Sequence, residues 1–111
     1  MIIKQKDIVL LPYPFTDLEW NKVRPALVVS HDYFNNLSAD IIAIPLTSVL
    51  KDVPYSVFIT QNDMASGKLL VPSRIRADKI FTVEKKIVSF KIGALKDASF
   101  KKVKKELNAL F

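Results

Sequence analysis

Short apolar runs, separated by prolines, asparagines and charged turns, organise most of this chain, and only its last segment changes period. Asp7 to Leu11 is a β-branched and leucine run stopped by Pro12 and Pro14, because proline cannot donate to a ladder. A loop from about Phe15 to Val23 follows, then a second apolar run, Ala26 to Val29, behind Arg24 and Pro25. His31 to Ser38 is polar and aromatic with two asparagines, which suits a turn or one short helical turn. Asp40 to Pro45 carries Ile41, Ile42, Ala43 and Ile44, a continuous apolar run of the buried kind. Lys51 to Pro54 reads as a loop, and Tyr55 to Thr60 as a strand with Tyr55, Val57 and Ile59 on one face. Asn62 to Lys68 reads as another loop. Leu69 to Ile75 (broken by Pro72), Ile80 to Val83 and Ile87 to Ile92 complete the predicted strands, with Gly93 at a bend.

The final segment is helical by pattern. Phe100, Val103, Leu107 and Leu110 recur at spacings of three, four and three, with Lys101, Lys102, Lys104 and Lys105 off that stripe. Asp97 stands at its start, where a carboxylate suits the unpaired N–H groups and the dipole. Many short strands followed by one helix predict a mainly β fold, a small antiparallel barrel capped by that helix. No repeat, linker or low-complexity tract divides residues 1–111, so one domain is expected.

Composition narrows the classes. The chain has no cysteine and one histidine, His31, which removes a disulfide framework and any thiolate site and argues against a metal cofactor. The N-terminus shows no apolar stretch behind a basic one, and no apolar run approaches the ~18 residues of a membrane span. A cytoplasmic protein without a membrane partner is expected. Seventeen Lys and Arg against eleven Asp and Glu leave a net charge of +6, enough to attract a polyanion. Half of that excess lies from Lys96 onward, where a solvated helix face explains it as well.

Charged and hydroxyl side chains gather at strand ends. Arg24 precedes a rigid proline at the start of a buried run, and its planar fork can place two donors on one phosphate. Thr47 and Ser48 follow the third run directly, as either phosphate donors or ordinary strand-end residues. In Arg74-Ile75-Arg76-Ala77-Asp78-Lys79 the period of two sets Arg74, Arg76 and Asp78 on one face, against solvent or in a site. The first loop carries Phe15, Thr16, Trp20 and Lys22, whose aromatic rings either stack on bases or fold back onto the core. No Gly-rich phosphate loop, Ser-His-Asp order or HExxH occurs. RNA, however, supplies its own 2′-OH nucleophile. Cations that offset charge on a pentacoordinate phosphorane, with a proton acceptor and a donor, are enough to cleave it without a metal.

At these residues the chain resembles the PemK/MazF family of toxin–antitoxin endoribonucleases. The matching blocks are Asp7-Ile8-Val9-Leu10-Leu11-Pro12-Tyr13-Pro14-Phe15, Arg24-Pro25-Ala26-Leu27-Val28-Val29-Ser30 and Pro45-Leu46-Thr47-Ser48. Downstream, Ser73, Arg76-Ala77-Asp78-Lys79-Ile80, Thr82-Val83 and Ile92-Gly93-Ala94-Leu95 continue the pattern in order. The resemblance implies an SH3-like barrel of the CcdB/Kid/MazF type, a homodimer, a cognate antitoxin partner, and metal-independent, sequence-selective cleavage of single-stranded RNA to 2′,3′-cyclic phosphate and 5′-OH ends. It places the family's arginine–threonine pair on Arg24 and Thr47 and its Arg-x-Asp pair on Arg76 and Asp78. Phe15, Thr16, Trp20, Lys22, Ser48, Arg74 and Lys79 are then the expected RNA contacts. Asp78 is either the base or the group that orients Arg76, because arginine rarely yields its proton.

The chain departs from the family pattern at several positions. Lys6 stands where a glycine often precedes the first aspartate, and Val49 where a glutamine often follows the Thr-Ser pair. The first loop lacks its usual glycine and carries no histidine, and His31, past the second strand, does not inherit a catalytic role. Two other classes compete. A CcdB-like gyrase inhibitor would act through residues near Ala109 to Phe111, and a non-catalytic RNA- or DNA-binding barrel would bind without cutting.

Overall fold

The computed structural model describes residues 1–12 and 23–111, and in them the short apolar runs pair into one curled antiparallel sheet. The strands are β1 (Asp7–Pro12), β2 (Val23–Val28), β3 (Asp40–Thr47), β4 (Ser56–Ile59), β5 (Met64–Gly67), β6 (Ser73–Arg76), β7 (Phe81–Glu84) and β8 (Phe90–Leu95). Two α-helices, α1 (Asp32–Leu37) and α2 (Asp97–Ala109), complete the architecture with 3-10 turns at Gln61–Asp63 and Lys85–Ile87. The order across the sheet is β4-β6-β3-β2-β1-β8-β5, and β7 also pairs with β3.

Strand β3 is the corner of this sheet. Its first half, Asp40 to Ala43, pairs with β7, while Leu46 and Thr47 at its end pair with Ile75 and Arg74 of β6. Because side chains alternate, each central strand faces two apolar layers. Ile8, Leu27, Ile44, Leu46, Ile59 and Ile75 pack with Phe100 and Val103 of α2 on one side. Val9, Leu11, Ala26, Val28, Ile41 and Ala43 pack with Ile3, Phe81 and Val88 on the other. Burial on both faces is why β1 to β3 read as continuous apolar runs.

The C-terminal helix lies where the stripe predicts, with Phe100 and Val103 buried and Leu107 and Leu110 against the same core. Its first turn is anchored twice. Lys6 Nζ meets Asp97 Oδ1 at 2.5 Å and lies 6.0 Å from the Phe100 ring centroid. Asp63 accepts from the Thr60 N–H (2.8 Å) and the Ser99 hydroxyl (2.7 Å), and its carbonyl accepts from the Lys96 N–H (2.8 Å), joining the end of β4 to α2.

Several element boundaries differ from the sequence-based expectation. The loop expected over Asn62 to Lys68 contains a 3-10 turn and β5, which no alternation announced because Met-Ala-Ser-Gly has no β-branched residue. Strand β6 starts at Ser73 rather than Leu69, since Pro72 has no N–H for a ladder. Lys85 to Ile87 form a 3-10 turn, so β8 starts at Phe90 and extends through the expected bend at Gly93 to Leu95.

Gly93 and Gly67, the chain's two glycines, are register partners in β8 and β5. A Cβ on Gly67, which has φ +73°, would come within 2.0 Å of the Ile92 carbonyl oxygen. No side chain fits between these backbones. Lys6, in the position where the family often has glycine, has φ 80°, and its N–H and C=O bond Val28 O and Leu95 N at 2.9 Å each.

Candidate active site

Four strands bring the candidate residues to one face at the β3–β6 corner. Arg24 of β2 pairs with Leu11 of β1, and the β2–β3 register has Ala26 opposite Pro45. Carried two residues further, that register would set Arg24 alongside Thr47. Thr47 in turn pairs with Arg74, while β6 pairs Arg74 with Phe58 and Arg76 with Ser56 of β4. The alternation that buries Leu46, Ile75 and Ala77 therefore turns Thr47, Arg74 and Arg76 the other way. Arg24 is half-buried on the same parity as Ala26 and Val28.

Thr47, Arg76, Val49, Lys51 and Val53 line a cleft of about 230 Å³. The Thr47 Oγ1 accepts from the Val49 N–H at 3.1 Å, which fixes the hydroxyl at the strand end and directs its own proton to another acceptor. Where the family often has glutamine, the exposed Val49 offers an apolar wall in place of an amide.

Arg76 and Asp78 form a bidentate pair, Nε to Oδ1 at 2.9 Å and Nη2 to Oδ2 at 2.7 Å. Asp78 lies in the turn after β6 rather than on the strand. The hydrogen bond from Arg76 holds the Asp78 carboxyl below its ordinary range, aided by the Arg76 charge and, last, by Lys79. The same hydrogen bond raises Arg76. A carboxylate engaged through both oxygens is a poor proton acceptor and a good splint for a guanidinium.

Arg74 is braced by the loop between β3 and β4. Its Nε donates to the Leu50 carbonyl (3.1 Å), its Nη1 donates to the Ser56 hydroxyl (3.2 Å), and Nη1 lies 3.4 Å from Asp52 Oδ1. Ser48 and Lys79 are exposed at the margins. His31 caps α1, its Nδ1 accepting from the Tyr33 N–H, away from this corner. Phe15, Thr16, Trp20 and Lys22 lie outside the described residues.

Sequence reasoning missed Lys51, Asp52, Val53 and Phe58. The first three had no signal beyond a polar loop. Phe58 had one, because the alternation that sends Val57 and Ile59 one way sends Phe58 the other. Among the described residues no group of three or more His, Cys, Asp or Glu could hold a metal ion.

This constellation, at the end of a curled sheet closed by a helix, is of the kind that binds and polarises a phosphodiester. The model of the PemK-like, MazF-like toxins of type II toxin–antitoxin systems matches residues 4–111, and the chain belongs to that family. Among solved structures, an endoribonuclease in complex with its cognate antitoxin from a mycobacterial species has TM-score 0.78 at 22% identity, over 96% of this chain and 92% of that one. A MazE–MazF complex from Deinococcus radiodurans has TM-score 0.77 at 20% identity, over 99% and 95%. The Mycobacterium tuberculosis toxin MazF-mt6 has TM-score 0.75 at 16% identity, over 93% of each chain. These likenesses establish the fold. No curated protein sequence matches the chain.

Proposed function

We propose that this toxin is a metal-independent endoribonuclease that cleaves single-stranded RNA at selected sequences. The observation that carries the reading is the convergence of Thr47 and Arg76 on one cleft, with Arg24 on the adjoining strand. The solved relatives described as endoribonucleases share the fold.

In this reading the scissile phosphate lies over the strand ends. Thr47 donates its hydroxyl proton to a non-bridging oxygen. Arg24 and Arg76 offset the charge of the phosphorane, and Arg24 hydrogen-bonds the departing 5′ oxygen, which takes its proton from solvent. Asp78 orients Arg76, and the 2′ proton passes to solvent. The products are a 2′,3′-cyclic phosphate and a 5′-hydroxyl. Ser48, Arg74 and Lys79 border the path of the RNA, and Phe15, Thr16, Trp20 and Lys22 are its further proposed contacts.

The chain acts as one domain, paired as a homodimer in the cytoplasm. Among the described residues no helix is long and apolar enough to cross a membrane. A cognate antitoxin, as in the solved complexes, is the regulator, and an acidic segment suits a net charge of +6.

The decisive experiment incubates purified protein with a long defined single-stranded RNA in EDTA, mapping ends by primer extension beside Arg24→Ala and Thr47→Ala. Discrete cuts bearing cyclic phosphates, reduced at least 100-fold in both variants, are expected from the loss of transition-state contacts. Intact RNA from folded wild-type protein would overturn the reading.

A further inference from the structure

An exposed aromatic ring stands beside the cleft and belongs to neither core. Phe58 is 46% exposed in the middle of β4, although its neighbours Val57 and Ile59 pack inward. Register places it opposite Arg74, on the rung that Arg74 shares with Thr47 and two rungs from the Ser56–Arg76 pair, so it is two residues along the strand from the Arg76 side of the proposed phosphate site. At about 3.3 Å per residue that offset is roughly 7 Å, comparable with the advance of one nucleotide in an extended strand.

The ring is also held in place. The Arg74 guanidinium carbon lies 5.8 Å from its centroid, and Arg74 is itself fixed by Leu50, Ser56 and Asp52. An aromatic face at that distance from a guanidinium gains from the cation and loses little rotational freedom when a second flat group arrives. The cation has a carboxylate nearby, so this rung offers a π surface more than a strong phosphate clamp.

We infer that Phe58 is the stacking platform for one unpaired nucleobase next to the scissile phosphate. This subsite rests on the ribonuclease reading and deepens it. Stacking discriminates by ring area and not by hydrogen-bonding edge, so the platform favours purines over pyrimidines and rejects a base held in a duplex. Sequence selectivity at that one position would then come from a strand residue as well as from loops.

The test uses Thr47→Ala as the parent, so that bound RNA stays intact, with short single-stranded RNAs carrying 2-aminopurine at successive positions. Quenching at one position on binding is expected. Adding Phe58→Leu, which keeps apolar bulk without a ring, should abolish that quench and weaken binding roughly 5- to 100-fold, while Phe58→Trp should retain both. Unchanged affinity and quenching in Phe58→Leu would overturn the inference. So would a change of oligomeric state by light scattering in Phe58→Leu with RNA affinity unaltered, which would assign the ring to a contact between copies. The two readings fail separately. If wild-type protein leaves RNA uncut yet binding depends on the ring, the platform stands and the nuclease falls. If cleavage is intact and its KM ignores Phe58→Leu, only the platform falls.

Discussion

Asp78 is the residue whose chemistry decides most about the mechanism. Its hydrogen bond from Arg76 places its folded carboxyl below the ordinary 3.8, so the pair's stabilisation is complete above that value. It is lost as pH falls through the lower, folded value. If Asp78 only orients Arg76, kcat/KM should keep rising with pH through neutrality, well above the range in which a carboxylate titrates. Asp78→Asn should then retain this slope while losing about 10- to 100-fold in rate, because one hydrogen bond to the guanidinium survives. A carboxylate acting as base would instead give a rate that levels off above the carboxylate range, a plateau that Asp78→Asn removes. Lys6 makes a second test at this scale. At φ 80° a β-branched side chain is strained, so Lys6→Val should lower stability by about 1–2 kcal/mol in thermal unfolding. Lys6→Gly should stay within about 0.5 kcal/mol of wild type, since relief of strain offsets the lost Asp97 pair and the added chain freedom.

At the level of elements, the strands with apolar patterns were readable and the one without was not. The runs forming β1 to β3 declare themselves because both faces are buried, and α2 because its stripe meets one core. Strand β5 exists for a reason absent from local pattern: its backbone meets β8 where Gly67 faces Gly93. The Arg76–Asp78 pair was legible as spacing, but its bidentate form depends on a turn that period-two reasoning extends as a strand. Two substitutions test the elements in urea unfolding. Gly67→Ala should cost about 2–4 kcal/mol, from the backbone clash plus positive φ. Val103→Ala should cost about 1–3 kcal/mol by leaving a cavity under α2, with cleavage specificity retained.

For the molecule as a whole, a net charge of +6 would set how RNA is approached under the proposed ribonuclease reading. Binding should weaken steeply with salt, and each Lys or Arg removed from a phosphate contact should flatten the log–log slope by about 0.7. Phe58→Leu should weaken binding without changing that slope, which separates stacking from charge. The glycine crossing has a consequence of a genetic kind. A cell expressing an unrestrained toxin survives only if the gene is damaged, and every replacement at Gly67 adds an atom where there is no room. Escape mutants sequenced after growth selection should therefore collect at Gly67 and Gly93 as well as at Arg24 and Thr47. Those at the glycines should yield little folded protein, and those at the cleft should yield folded protein that does not cut.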